Sequence, residues 1–250
     1  FASGSVAYSS RSPEALAYFF LFPTAFFLAV PYSEALFLAL SMACLCLARE
    51  RKWGLSGALG LLAVLTRGYG VALFPALLVE ARLQRTPWKK AAWALLVPLG
   101  FAAYLGLNIA FAGNPFAFAQ IQDAKFGHHF VAPWTPFVEG INGVLAESPS
   151  PYRTMAKELP LAAFLFAAGL LLYARKTLRP SYQAYAWALL LIVSSYSFQI
   201  SAPRYVLSMF PLFLILAQGK SPERHQMLLS ASALAMGGLF VIYALGRWAF

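Results

Sequence analysis

The chain has 250 residues, of which 60% are hydrophobic, 16% aromatic and only 11% charged. Soluble domains carry about 25% charged residues, so the composition excludes an ordinary soluble enzyme and implies a polytopic membrane protein. The net charge of +10 does not signal a nucleic-acid partner, because the basic residues sit in short clusters between apolar runs, as membrane topology signals do.

Apolar runs fall at about 13–30, 34–48, 54–67, 70–81, 90–111, 159–174, 182–200, 204–218 and 226–246. They predict an all-α, polytopic membrane helical bundle of about eight or nine transmembrane or half-spanning helices. One integral membrane domain over 1–250 is expected, with a single long outer loop at 112–158. The chain opens on Phe1 with no signal-peptide pattern, and a fragment lacking its N-terminal part is the expectation.

Between the first two runs lies Pro31-Tyr32-Ser33-Glu34. Glu34 suits a helix N-terminus, where the dipole favours a carboxylate. It equally suits an arginine partner or a sugar hydroxyl, with Tyr32 and Ser33 supplying hydroxyls at the same turn. Cys44 and Cys46 lie in one run, too close for an ordinary disulfide, and read as buried thiols.

Arg67 interrupts the next apolar stretch at Leu65-Thr66-Arg67-Gly68-Tyr69-Gly70. An arginine at the bilayer centre costs roughly 2.5–3.5 kcal/mol on insertion scales. Either 54–81 is one span with Arg67 near its middle, or it is a hairpin with Arg67 at its tip. The hairpin places every basic cluster, and Arg11, on one side; Gly68 and Gly70 would supply positive φ at its turn. Only Arg67, Lys125, Arg153, Lys157, Arg204 and Arg247 of the 19 Lys and Arg then lie outside, whereas the cluster holding Lys220 lies inside. Arg67 and Thr66 present a guanidinium and a hydroxyl suited to a lipid phosphate. The plainer alternative is an interfacial arginine snorkelling to headgroups.

The outer loop is too long for a mere tether. Residues 116–123 read as an interfacial helix, and Trp134 suits the headgroup zone. Asp123, the only Asp of the chain, is a weaker catalytic or substrate-contact candidate beside Lys125, His128 and His129. Those histidines lack the spacing of a metal site, so no metal is expected, and His225 is given no role. Arg204 follows Pro203, which suits a first helical turn, and Tyr205 follows it. No Walker loop, dinucleotide fingerprint or nucleophile elbow occurs, and no cofactor is expected.

Taken in order, several stretches resemble the PIG-V-type mannosyltransferases of the GT-C class of membrane glycosyltransferases. They are Leu21-Phe22-Pro23-Thr24-Ala25-Phe26-Phe27, Pro31-Tyr32-Ser33-Glu34-Ala35-Leu36-Phe37, Leu65-Thr66-Arg67, Gly113-Asn114-Pro115-Phe116-Ala117-Phe118 and Pro203-Arg204-Tyr205-Val206-Leu207-Ser208-Met209-Phe210-Pro211-Leu212-Phe213. Gly68-Tyr69-Gly70 departs from the family, which often has a polar residue or proline after Thr-Arg. The resemblance implies a polyprenyl-phosphate sugar donor, typically mannose, and a lipid or glycan acceptor at the outer face of the membrane. Short loops point to a bacterial plasma membrane. It also implies that the main catalytic base lies in an early outer loop preceding residue 1. The expected substrate-binding set is Tyr32, Ser33, Glu34, Thr66, Arg67, Arg204 and Tyr205, with Glu34 and Asp123 as weaker catalytic candidates.

Two rivals come from other classes. A transporter or flippase of a lipid-linked or anionic solute would also hold intramembrane arginines, but transporters commonly carry broken helices in each half. Here a single broken hairpin is expected. A non-catalytic membrane subunit would need no phosphate-binding arginines.

Overall fold

The computed structural model describes residues 13–197, 199–219 and 221–246. Arg11, Lys220 and Arg247, used in the charge assignment, lie outside the described residues. Within them the chain is all-helical apart from one antiparallel bridge between Phe130 and Tyr196.

The first apolar run breaks into α1 (Pro13–Phe20) and a 3-10 turn at Ala25–Leu28. α2 (Glu34–Arg49) and α3 (Trp53–Thr66) run antiparallel, joined through a left-handed Arg51 with φ 62°. Gly57 and Gly60 bring α3 against α5 (Trp88–Ala112). A Cβ on Gly57 would stand 2.2 Å from the Trp93 carbonyl oxygen, and one on Gly60 would stand 2.6 Å from Val97 Cγ2. Small residues permit such approach between apolar helices.

The stretch 54–81 is a hairpin: α3 ends at Thr66, and α4 (Leu73–Leu83) returns after a 3-10 turn at Gly68–Ala72. Gln84 Nε2 donates to the Ala48 carbonyl at 3.0 Å, which puts the end of α4 beside the end of α2. The expected glycine role is corrected. Neither Gly68 nor Gly70 has positive φ; a Cβ on Gly70 would meet the α3 backbone at 3.0 Å, so close approach selects that glycine.

The long loop is mostly helix. α6 (Ala117–Phe126) and α7 (Thr135–Ala146) fill it, and its last residues belong to α8 (Pro151–Tyr173). Ser150 caps α8 by accepting from the Arg153 amide, while Pro151 starts it. The early extension passes through a π turn at Thr154–Glu158, across which Arg153 Nε donates to Glu158 Oε1 at 2.7 Å.

α9 (Pro180–Ser194) is followed by non-helical backbone, then α10 (Ala202–Leu207), α11 (Pro211–Leu216) and α12 (Pro222–Ala244). The expectation of one broken hairpin is therefore too simple, because residues 195–197 and 199–201 leave the helix in a second apolar stretch. Pro203 and Pro211 both start short helices there.

Among the described residues three helices, α5, α8 and α12, are long and apolar enough to cross a membrane, with 25, 23 and 23 residues. The core lies among α2, α3, α4, α9 and α10–α11, with Phe37, Leu73, Leu77, Tyr185, Leu189 and Leu207 fully enclosed. α12 has no fully buried residue; Met236, Leu239, Ile242 and Tyr243 pack partly against Phe26, Phe27 and Ile200. Cys44 is enclosed as expected, whereas Cys46 is exposed, because successive positions two apart face different sides of α2.

Arg179 joins Glu80 through Nε and Nη2 at 2.8 and 2.6 Å, and Ser181 Oγ adds a bond at 2.7 Å. Gln84 Nε2 also donates to Glu80 Oε1 at 2.5 Å, so each oxygen of this buried carboxylate accepts two bonds and the cluster is a latch between α4 and α9. It lies with Arg49, Arg82 and the adjacent basic residues at one end of the bundle. Glu34, Arg67 and Arg204 lie at the other.

Candidate functional site

At that other end, three chain interruptions meet: the turn before α2, the turn after α3 and the start of α10. Glu34 opens α2 and is wholly buried, 0% exposed. Arg67 Nη2 approaches Glu34 Oε1 at 2.5 Å, and Arg204 Nε approaches the same oxygen at 3.0 Å. The two guanidinium side chains are only 13% and 15% exposed. These are charge contacts without hydrogen-bond alignment: both Glu34 oxygens and Arg204 Nε are buried with no hydrogen-bond partner among the described residues. Two guanidiniums against one carboxylate leave an excess positive charge in a poorly solvated place, where Coulomb interactions are strong.

Neighbouring groups fix each arginine. Arg67 Nε donates to Ser33 Oγ and Nη1 to Tyr69 OH, both at 2.9 Å. Tyr69 OH lies 3.5 Å from Ser208 Oγ, linking the hairpin turn to the end of α10. Arg204 Cζ lies over an edge-to-face pair of rings, 5.1 Å from the Phe27 centroid and 5.3 Å from that of Tyr32. Aromatic faces attract a guanidinium and hold its plane. Thr24 Oγ1 donates to the Pro203 carbonyl at 3.2 Å and so ties the Phe27 turn to the start of α10.

The expected site residues thus divide by what they touch. Ser33, Glu34, Arg67 and Arg204 converge. Tyr32 joins them, but through its ring under Arg204. Thr66 does not: its hydroxyl donates back to the Leu62 carbonyl at 2.8 Å. Tyr205 lines the adjoining cavity, with its ring 5.7 Å from Tyr69. Asp123 stands apart from the arginines on α6 and pairs with His129 Nδ1 at 3.1 Å.

A cavity of about 510 Å³ opens beside Arg67 and Arg204, lined also by Tyr69, Tyr104, Tyr196, Tyr205, Gln122, His128 and His129. The segment 127–131 closes over it. Ser197 Oγ donates to the Gly127 carbonyl at 2.7 Å and accepts from the His129 amide at 2.9 Å. The Ser197 amide donates to the His129 carbonyl at 2.9 Å, and the Val131 amide to the Ser195 carbonyl at 2.8 Å. His128 packs on Tyr196 with ring centroids 4.6 Å apart. Burial first, then the neighbouring His129, pushes the His128 imidazole below the usual histidine range. His225 lies at the opposite end, between Tyr18 OH and the Gly219 carbonyl, each at 2.7 Å.

A second cavity, about 480 Å³ and apolar, lies between α1, α2 and α11, with Arg49 and Tyr182 at its far end. Among the described residues no cluster of three metal-ligating side chains occurs. Sequence reasoning missed Phe27, Tyr69, Tyr196 and Ser208 as site residues. Tyr69 alone carried a local signal, beside an intramembrane arginine.

No protein-family model, curated protein or solved structure matches the chain.

Proposed function

We propose that the chain is an integral-membrane glycosyltransferase of the PIG-V-like kind, moving a sugar, mannose in the first instance, from a polyprenyl-phosphate carrier to a hydroxyl of a lipid or glycan acceptor. The observation that supports this best is the pair of guanidiniums on one buried carboxylate beside a 510 Å³ cavity. Polyprenyl phosphate is an anionic leaving group. It needs fixed positive charge in a poorly hydrated place more than it needs a proton, and preorganised donors are worth most there. Arg67 and Arg204 hold the phosphate in this reading, and Glu34 keeps both aimed. The second, apolar cavity is a candidate surface for membrane lipid.

The shorter helices complete a bundle of about eight or nine membrane segments around α5, α8 and α12. By the positive-inside rule, the end with Arg49, Arg82 and Arg179 is cytoplasmic and the site end lies across the membrane, in a bacterium outside the plasma membrane. A second reading, transport of a lipid-linked or anionic solute, draws support from the placement of both arginines at helix interruptions.

Release of polyprenyl phosphate from polyprenyl-phosphate mannose by the purified complete protein tests the proposal. Release by the wild type and a loss of about 100-fold or more in Arg204→Ala are expected. Uptake of the lipid-linked sugar into proteoliposomes with no release would favour transport instead.

A further inference from the structure

The apolar cavity between α1, α2 and α11 is a groove along the length of α2. Ala35, Leu38, Ala39, Met42 and Cys46 line it at helical spacing, and Arg49 stands at its end, where the basic clusters lie. From Ala35 to Arg49 the helix rises about 21 Å, more than the roughly 15 Å of hydrocarbon in one leaflet. No residue lining this groove also lines the cavity beside Arg67 and Arg204. The two cavities are separate, so the groove is not a continuation of the proposed donor site.

Arg49 makes the groove more than an apolar surface. Its Nη1 donates to Tyr182 OH at 2.9 Å, and its Cζ lies 5.8 Å from the centroid of that ring. Tyr182 of α9 is only 4% exposed and packs edge-on against Phe210, another lining residue, with ring centroids 5.7 Å apart. A buried side chain thus fixes the guanidinium at the groove's mouth. Among the described residues no carboxylate pairs with Arg49; the adjacent Glu50 takes Lys52 at 2.8 Å instead. Hydrocarbon walls ending on a positioned cation without a counterion complement one kind of molecule, a long apolar chain with an anionic head.

We propose that this groove binds an anionic phospholipid of the leaflet at the basic end, with its phosphate on Arg49 and one acyl chain along α2. A guanidinium fork matches phosphate oxygens, and basic pockets between membrane helices take anionic headgroups. A polyprenyl tail descending from the donor site would fill the same walls but leave Arg49 without a counterion. The bound chain would pack α1 against α2 and α11. The proposal needs neither the sugar nor its transfer.

The test gives the delipidated complete protein, in dodecyl maltoside, phosphatidylglycerol or phosphatidylcholine with the same acyl chains. Native mass spectrometry counts bound lipid. Alkylation of Cys46 by N-ethylmaleimide, followed on its own peptide, locates the lipid, because that thiol is exposed on the groove wall. The wild type should prefer phosphatidylglycerol by about 10-fold or more, the scale of a charged hydrogen bond, and the bound lipid should slow Cys46 alkylation. Arg49→Gln should bring phosphatidylglycerol down to the phosphatidylcholine level, Arg49→Lys should keep part of the preference, and Ala39→Trp, which fills the groove, should weaken binding of both lipids. Equal binding of the two lipids by the wild type overturns the headgroup site, as does an undiminished preference in Arg49→Gln. Phosphatidylglycerol bound without slowing Cys46 alkylation lies elsewhere and overturns the groove. Stronger protection of Cys46 by polyprenyl phosphate than by phosphatidylglycerol would overturn it too, assigning the groove to the donor's tail.

Discussion

Glu34 is the residue on which the site depends. It is fully enclosed, and among the described residues it is the carboxylate that both arginines touch. Removing one member of a buried charge group strands the others, at a cost of about 3–5 kcal/mol. Glu34→Ala should therefore lower thermal stability markedly, whereas Glu34→Gln, which keeps the shape, should lower it less; differential scanning fluorimetry in detergent separates the two. Arg204→Lys should retain stability better than Arg204→Ala but not activity, since the ammonium lacks the planar fork that lies over Phe27 and Tyr32. Glu34, Arg67 and Arg204 were legible in the sequence because each is a charge inside apolar surroundings. Glu80 gave the same signal and went unread; its partner Arg179 had been counted only as a topology charge. Phe27 and Tyr196 were illegible because their roles arise from turns far apart in the chain, not from local pattern.

Among the elements, the breaks matter more than the helices. Apolar runs located most helices, but they could not show that 195–197 and 199–201 leave the helix or that α8 begins at Pro151, within what composition marks as loop. Two close contacts hold the broken elements in register. Gly57→Val should disrupt α3–α5 packing, because even the first added carbon would overlap the Trp93 carbonyl. Overpacking of this kind costs about 1–3 kcal/mol, visible as a lowered melting temperature. The cover over the cavity should respond to pH through His128. Its folded-state titration is depressed, so the docked segment binds fewer protons than the undocked one, and its stability is lost as pH falls from the ordinary histidine value of 6.5. Hydrogen-exchange protection in 127–131 and 195–197, taken relative to the intrinsic exchange rate at each pH, should fall on acidification in the wild type and change less in His128→Gln.

For the whole molecule, the basic clusters and the arginine–carboxylate group occupy opposite ends, an arrangement that charge placement anticipated and that Gln84–Ala48 and Arg179–Glu80 contacts display. Among the described residues three helices meet the length and hydropathy of a membrane crossing; the other apolar segments there are too short or too interrupted for length alone to assign. Sidedness can be read directly. With Cys44 and Cys46 replaced by serine, single cysteines at Arg85 and at Trp134 should react with an impermeant maleimide from opposite sides of the membrane, and labelling of both from one side would reject the proposed topology.

The most direct measurement is a double-mutant cycle on lipid-phosphate binding. Polyprenyl phosphate would be titrated into wild type, Arg67→Ala, Arg204→Ala and the double variant, with the phosphate-free polyprenol as comparison. Each single loss should weaken phosphate binding about 10- to 100-fold, the range of a charged hydrogen bond, and the two losses should be non-additive because both arginines share Glu34. Wild-type affinity in the double variant, or equal binding of the polyprenol, would contradict the phosphate-binding role on which the function rests.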